Sequence, residues 1–168
     1  MVLELSQVVQ VPVIAEDETK LAVVDRVVFD GAEVKLAGFQ VKLPGVLPKF
    51  ARLDYGDVLT CSRQTVVVDK SHIFSPDLKD FDALTRNFGE VVGVTAKTQS
   101  GDTIGRVSDL IFDVDSGLIV RFYLCHLFRE WIIPCEYLVA ITPKALIFKD
   151  IVGEPLFDDM VTAPAVGI

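Results

Sequence analysis

Cys125, His126 and Cys135 stand close together in the chain, with His72 far upstream. Thiolate and imidazole are zinc ligands, but a tetrahedral site takes about four of them at closer spacing than these residues offer. With three cysteines and two histidines in 168 residues, the inventory predicts reduced, mostly buried structural cysteines, a surface histidine and no metal site. The same scarcity limits nucleophilic catalysis, because a Cys–His or Ser–His pair needs one of those histidines beside the nucleophile. Asp113-Val114-Asp115-Ser116-Gly117 opens like a calcium loop, yet the positions that need a further oxygen ligand and a closing acidic residue hold Gly117 and Leu124. A tight β-turn accounts for that segment. Gly101-Asp102-Thr103-Ile104-Gly105 lacks both the Lys-Ser or Lys-Thr and the following helix of a phosphate loop. No residue is assigned to catalysis, to a cofactor or to a metal, and the chain is expected not to be an enzyme.

The chemistry of association is better represented. Two stretches expected at hairpin tips are apolar where turns are normally polar: Leu43-Pro44-Gly45-Val46-Leu47-Pro48-Lys49-Phe50, and Leu127-Phe128-Arg129-Glu130-Trp131. Such groups must be buried against something, either the rest of the chain or a partner. Leu47, Phe50, Leu127, Phe128 and Trp131 are the expected partner contacts. Acidic clusters at Glu16-Asp17-Glu18, at Asp77, Asp80 and Asp82, and at Glu154, Asp158 and Asp159 read as solvated turns and caps, or as an acidic face that steers a basic partner.

These residues must be positioned by short strands. Shifting the chain by 83 places Val8, Val9 and Val11 on Val91, Val92 and Val94, then Val28, Phe29 and Asp30 on Ile111, Phe112 and Asp113. After a slip the offset becomes 80, and Val66, Val67 and Val68 fall on Leu146, Ile147 and Phe148. A shared register over so many positions marks an internal repeat. Each copy holds about five short β-branched runs separated by Gly, Asp and Ser clusters, the pattern of a small barrel that leaves few strand edges. Between the copies, Ser75-Pro76-Asp77 reads as a helix start, and Leu78, Phe81 and Leu84 give the helix from Pro76 to about Leu84 one apolar stripe that docks on a barrel. Residues 151–168 are expected to form an irregular tail.

Composition bounds the rest. Apolar residues make up 51% and mean hydropathy is +0.44, which suits buried strands. The most apolar window, residues 131–148, is broken by Pro134, Glu136, Pro143 and Lys144 and cannot span a bilayer as a helix. Glu4 follows Met1 closely, without the basic start of a secretory signal, so a cytoplasmic location is expected. A net charge of −8 argues against direct nucleic-acid binding, which needs a basic face.

Gly89-Glu90-Val91-Val92, the Gly101 to Gly105 stretch with Arg106-Val107-Ser108-Asp109, Phe112-Asp113 before a Ser-Gly turn, and Trp131-Ile132-Ile133-Pro134 before an apolar Leu138 to Ile141 run together resemble the PRC-barrel family. That family includes the cytoplasmic domain of the photosynthetic reaction-centre H subunit, and the C-terminal domain of a ribosome maturation factor is similar. The first copy departs from the pattern, with Ala22 in place of Gly and Leu53-Asp54 in place of a hydrophobic-Pro pair. The resemblance implies an all-β fold of two tandem small barrels, residues 5–69 and 88–150, joined by a linker with a short helix over residues 70–87. It also implies a binding or assembly module with no shared catalytic residues. The expected function is a non-catalytic protein-binding adaptor or assembly factor. The alternative is a ribosome-associated maturation role in which the acidic surface meets a basic ribosomal protein, with a small-ligand binder or enzyme ranked below. Peripheral association with a membrane complex is left open, as is the oligomeric state.

Overall fold

Runs of Val, Ile, Leu and Phe between Gly, Asp and Ser fold as strands because branched and aromatic side chains fit a pleated, half-buried surface. The computed structural model describes residues 1–88 and 90–150, with the side chains of residues 85–88 left aside. The first half contains β1 (Val2–Glu4), β2 (Pro12–Ala15), β3 (Lys20–Asp30), β4 (Lys35–Leu43), β5 (Lys49–Asp54), β6 (Val58–Cys61) and β7 (Val66–Val68). Helix α1 (Lys79–Phe88) follows. The second half contains β8 (Thr95–Thr98), β9 (Thr103–Asp113), β10 (Ile119–His126), β11 (Arg129–Pro134), β12 (Leu138–Ile141) and β13 (Ala145–Phe148). Single 3-10 turns occupy Leu5–Gln7, Tyr55–Asp57 and Cys135–Tyr137.

The chain is all-β in class, with two sheets of mixed strands. One runs β5-β4-β3-β2-β7-β6 and the other β11-β10-β9-β8-β13-β12, with β1 added to β9. Neighbours are antiparallel except β2 with β7 and β8 with β13, which are parallel. The repeat read from the sequence is therefore a repeat of topology, strand for strand. Among the described residues no ladder joins the two ends of either path. In β3 the alternation is not strict: register slips between Val24 and Arg26 and between Val28 and Phe29 let both Val28 and Phe29 turn inward. Such bulges bend a long strand so that it can wrap a small core.

One apolar cluster runs through both sheets, from Val13, Phe39 and Val66 in the first to Phe112, Phe122 and Phe148 in the second. The halves meet at the turns that join β3 to β4 and β9 to β10. The Leu36 N–H donates to the Gly117 carbonyl at 2.9 Å and the Ile119 N–H to the Val34 carbonyl at 3.1 Å. Shifting residues 34 and 36 by 83 gives 117 and 119, so this exchange is reciprocal, and a pseudo-twofold axis passes beside the antiparallel pair Lys35 and Leu118. Tyr55 seals the seam. Its hydroxyl donates to the Val114 carbonyl at 2.8 Å and its ring meets Phe112 edge-on at 6.3 Å. Burial holds the phenol well above its ordinary pKa. Gly117, at φ +73°, is required there: a Cβ would lie 2.9 Å from the Tyr55 ring. The Asp113–Gly117 segment is a tight turn closed by the Gly117 N–H donating to the Asp113 carbonyl at 2.8 Å, one residue wider than a β-turn, and hydrogen bonds from the Ser116 hydroxyl and N–H hold the Asp113 carboxyl below the usual aspartate value.

The linker helix docks on the first sheet, as the Leu78, Phe81 and Leu84 stripe requires. Phe81 is buried over Gly38, where a Cβ would come within 2.9 Å of the ring, and the Arg52 guanidinium lies 5.8 Å from the ring centre. Two of the linker's acidic residues are used internally: Asp80 accepts from Arg52 at 3.0 Å and Asp82 approaches Arg26 at 4.0 Å. The helix begins at Lys79 rather than Pro76. Ser75 exchanges backbone hydrogen bonds with Arg52 at the edge of β5, and Asp77, whose carboxylate accepts from the Lys79 N–H at 2.9 Å, supplies the cap. The tail at residues 151–168, with Glu154, Asp158 and Asp159, lies outside the described residues. No helix among those described is long and apolar enough to cross a membrane.

Candidate interaction surface at the hairpin tips

β4 and β5 are joined by the five residues Pro44-Gly45-Val46-Leu47-Pro48, and β10 and β11 by Leu127 and Phe128 alone. Neither tip folds back on the protein. Val46 is 101% exposed, Leu47 73%, Leu127 76% and Phe128 105%, while Phe50, at 38%, is half sheltered. Trp131 stands on β11 opposite Leu124, partly buried, and packs against the edge of the core. The exposed apolar groups of the second tip are thus Leu127 and Phe128, with Trp131 behind them.

A two-residue hairpin loop of type I′ needs positive φ at both central residues, which is why Asn-Gly is favoured in such turns. Here Leu127 adopts φ 45° and Phe128 φ 68°. Left-handed backbone costs a residue with a bulky side chain on the order of 1–2 kcal/mol. Neither side chain recovers that cost by burial. The tip therefore holds two bulky residues in left-handed backbone with both side chains in solvent.

The antiparallel pair Lys35 and Leu118 sends β4 and β10 away from the seam in opposite directions. Each tip lies about 25 Å of strand from that pair, at roughly 3.3 Å per residue. The tips are therefore two separate surfaces. Beside the second lies an open hollow of about 570 Å³ lined by Thr95, Lys97, Thr103, Gly105, Arg106, Cys125, His126 and Leu127. Cys125 is exposed there, contrary to the expectation of mostly buried cysteines. Outward-facing positions on β10 carry it to the solvent side of the sheet, where it pairs with Arg106 and Glu130. Cys61 is buried, which pushes its thiol up to about 11, and burial also raises Cys135. A second cleft of about 240 Å³ lies between the halves, lined by Leu5, Val9, Arg26, Phe29, Val91 and neighbours.

His72, which the chemistry of the sequence singled out, sits in the linker, edge-on to Phe74 at 5.0 Å, and does not line the hollow beside the second tip. Among the described residues no group of three or more His, Cys, Asp or Glu is placed to hold a metal ion. What the sequence did not show is the cationic hollow, since Lys97 and Arg106 come from two strands and Cys125 and His126 of its lining from a third. No protein-family model matches the chain, and no curated protein matches it at a significant level.

Proposed function

We propose that the protein is a non-catalytic adaptor, built as a tandem pair of PRC-type barrels, that attaches to separate partners through its two hairpin tips. The observation that carries this reading is the exposure of Val46 and Leu47 at one tip and of Leu127 and Phe128 at the other, on strands that diverge from a common seam. An adaptor needs two attachment points that do not compete, held at a fixed separation. A shared core and a sealed seam supply the fixed separation. Exposed aromatic and aliphatic groups supply the contact energy, because taking apolar surface out of water contributes roughly 25 cal/mol per Å². In each half a strand near the start pairs in parallel with the last strand, β2 with β7 and β8 with β13, a chain-distant pairing that supports the barrel assignment.

The test is affinity capture from native lysate with two variants, Val46→Ser with Leu47→Ser, and Leu127→Asn with Phe128→Gly. Each variant should lose its own subset of captured partners while keeping the other. Retention of every partner by both variants would overturn the reading.

A further inference from the structure

We propose that the second tip is a docking element for an anionic membrane surface, with Leu127 and Phe128 entering the boundary between headgroups and acyl chains and the hollow behind them receiving lipid phosphates. This rests on the reading of the tips as attachment points and assigns one of them its occupant.

Shape comes first. A two-residue turn is convex, and its two side chains stand beyond the strands that carry them. Such a point is suited to entering a soft, apolar-cored layer, and its burial there needs no matching cavity. Charge comes second. Arg129, in the residue pair that closes the turn, and Arg106, on the next strand opposite Cys125, lie one to two residues behind the apolar pair. At roughly 3.3 Å per residue that set-back is comparable to the depth, about 5–10 Å, to which apolar groups enter a membrane interface. Lys97 adds a further cation, and the hydroxyls of Thr95 and Thr103 with the His126 imidazole complete a lining that contains no carboxylate. Glu130, opposite Cys125, accepts from the Ser108 hydroxyl at 3.0 Å, and Asp102 adjoins Thr103, so the cations Lys97, Arg106 and Arg129 outnumber the two neighbouring carboxylates. In a chain of net charge −8 this local reversal of sign is what an anionic surface would select. The Debye length of about 8 Å at physiological salt screens the more distant carboxylates. The first tip differs: its loop is bracketed by Pro44 and Pro48, and the hollow of mixed cations and hydroxyls belongs to the second.

The experiment is sedimentation of the full chain with vesicles of phosphatidylcholine alone and of phosphatidylcholine containing phosphatidylglycerol, at low and high salt. The wild type should bind the anionic vesicles about tenfold more than the neutral ones, with binding weakened by salt. Leu127→Asn with Phe128→Gly, and separately Lys97→Glu with Arg106→Glu, should each lower anionic-vesicle binding about tenfold while the proteins remain folded by circular dichroism. No binding to anionic vesicles, or binding that survives the tip substitutions, would overturn the proposal. If vesicles are not bound yet the tip substitutions abolish capture of a soluble protein, the membrane occupant is wrong and the adaptor reading stands. Loss of neither overturns both.

Discussion

Replacing Leu127-Phe128 by Asn-Gly should stabilise the protein, although it deletes the two bulkiest side chains of the turn. Both residues hold left-handed backbone, φ 45° and 68°, at a cost of roughly 1–2 kcal/mol each. Asn tolerates that region and Gly adopts it freely, so most of the strain is released. Against this stands the conformational entropy of the new glycine in the unfolded chain, about 0.5–1 kcal/mol. Burial contributes almost nothing to the balance, because Phe128 is fully exposed and Leu127 nearly so. The net gain is about 1–2 kcal/mol, which for a chain of this size corresponds to a rise in Tm of roughly 3–6 °C. Thermal unfolding followed by circular dichroism, with matched buffers, reads it directly. A fall in Tm would instead mean that Leu127 and Phe128 carry packing energy and that the tip is part of the core.

Gly117→Ala should destabilise by about 2–3 kcal/mol, from left-handed strain and the forced movement of Tyr55; denaturant unfolding checks it, and a loss under about 0.5 kcal/mol would mean the seam accommodates a methyl group. Proteolytic nicking within residues 71–77 should leave the halves associated through size-exclusion chromatography, because β1 from the first half is paired to β9 of the second. Two separately eluting folded halves would contradict the shared core. An aromatic disulfide reagent at pH 8 should label exposed Cys125 quickly in the native protein, whereas Cys61, buried and with its thiol pushed up to about 11, should react only on unfolding or as pH climbs toward that value. Equal rates for the two cysteines would show that β6 opens readily.

Strand content and the repeat were legible because both rest on local pattern. The offset of 83 pairs Val28, Phe29 and Asp30 with Ile111, Phe112 and Asp113, and the structure places those residues on equivalent strands, β3 and β9. The same offset lays Val34 on Gly117, two residues with the same left-handed backbone, φ 53° and 73°, in the paired turns. Nothing local in the sequence says that these turns bond to each other. That contact is between residues far apart in the chain, as are Tyr55 with Val114 and Glu4 with Tyr123. The apolar character of the tips was legible; whether they were covered was not, because covering is a tertiary property. Trp131 shows the limit most clearly: adjacent in sequence to the tip, it leans on the core edge while Leu127 and Phe128 do not. The cationic hollow was not legible because its residues are contributed by β8, β9 and β10, none of which carries a basic cluster alone. The helix start moved by three residues because a strand edge claimed Ser75.

The most direct test of the central claim, that the tips are two independent attachment points, is quantitative capture by wild type, by Val46→Ser with Leu47→Ser, and by Leu127→Asn with Phe128→Gly, each at matched folded concentration. Each pair of substitutions should lower retention of one set of partners about tenfold or more, as loss of an apolar anchor does, while the other set is retained unchanged. Identical retention by all three proteins, or the simultaneous loss of every partner on altering a single tip, would contradict that claim.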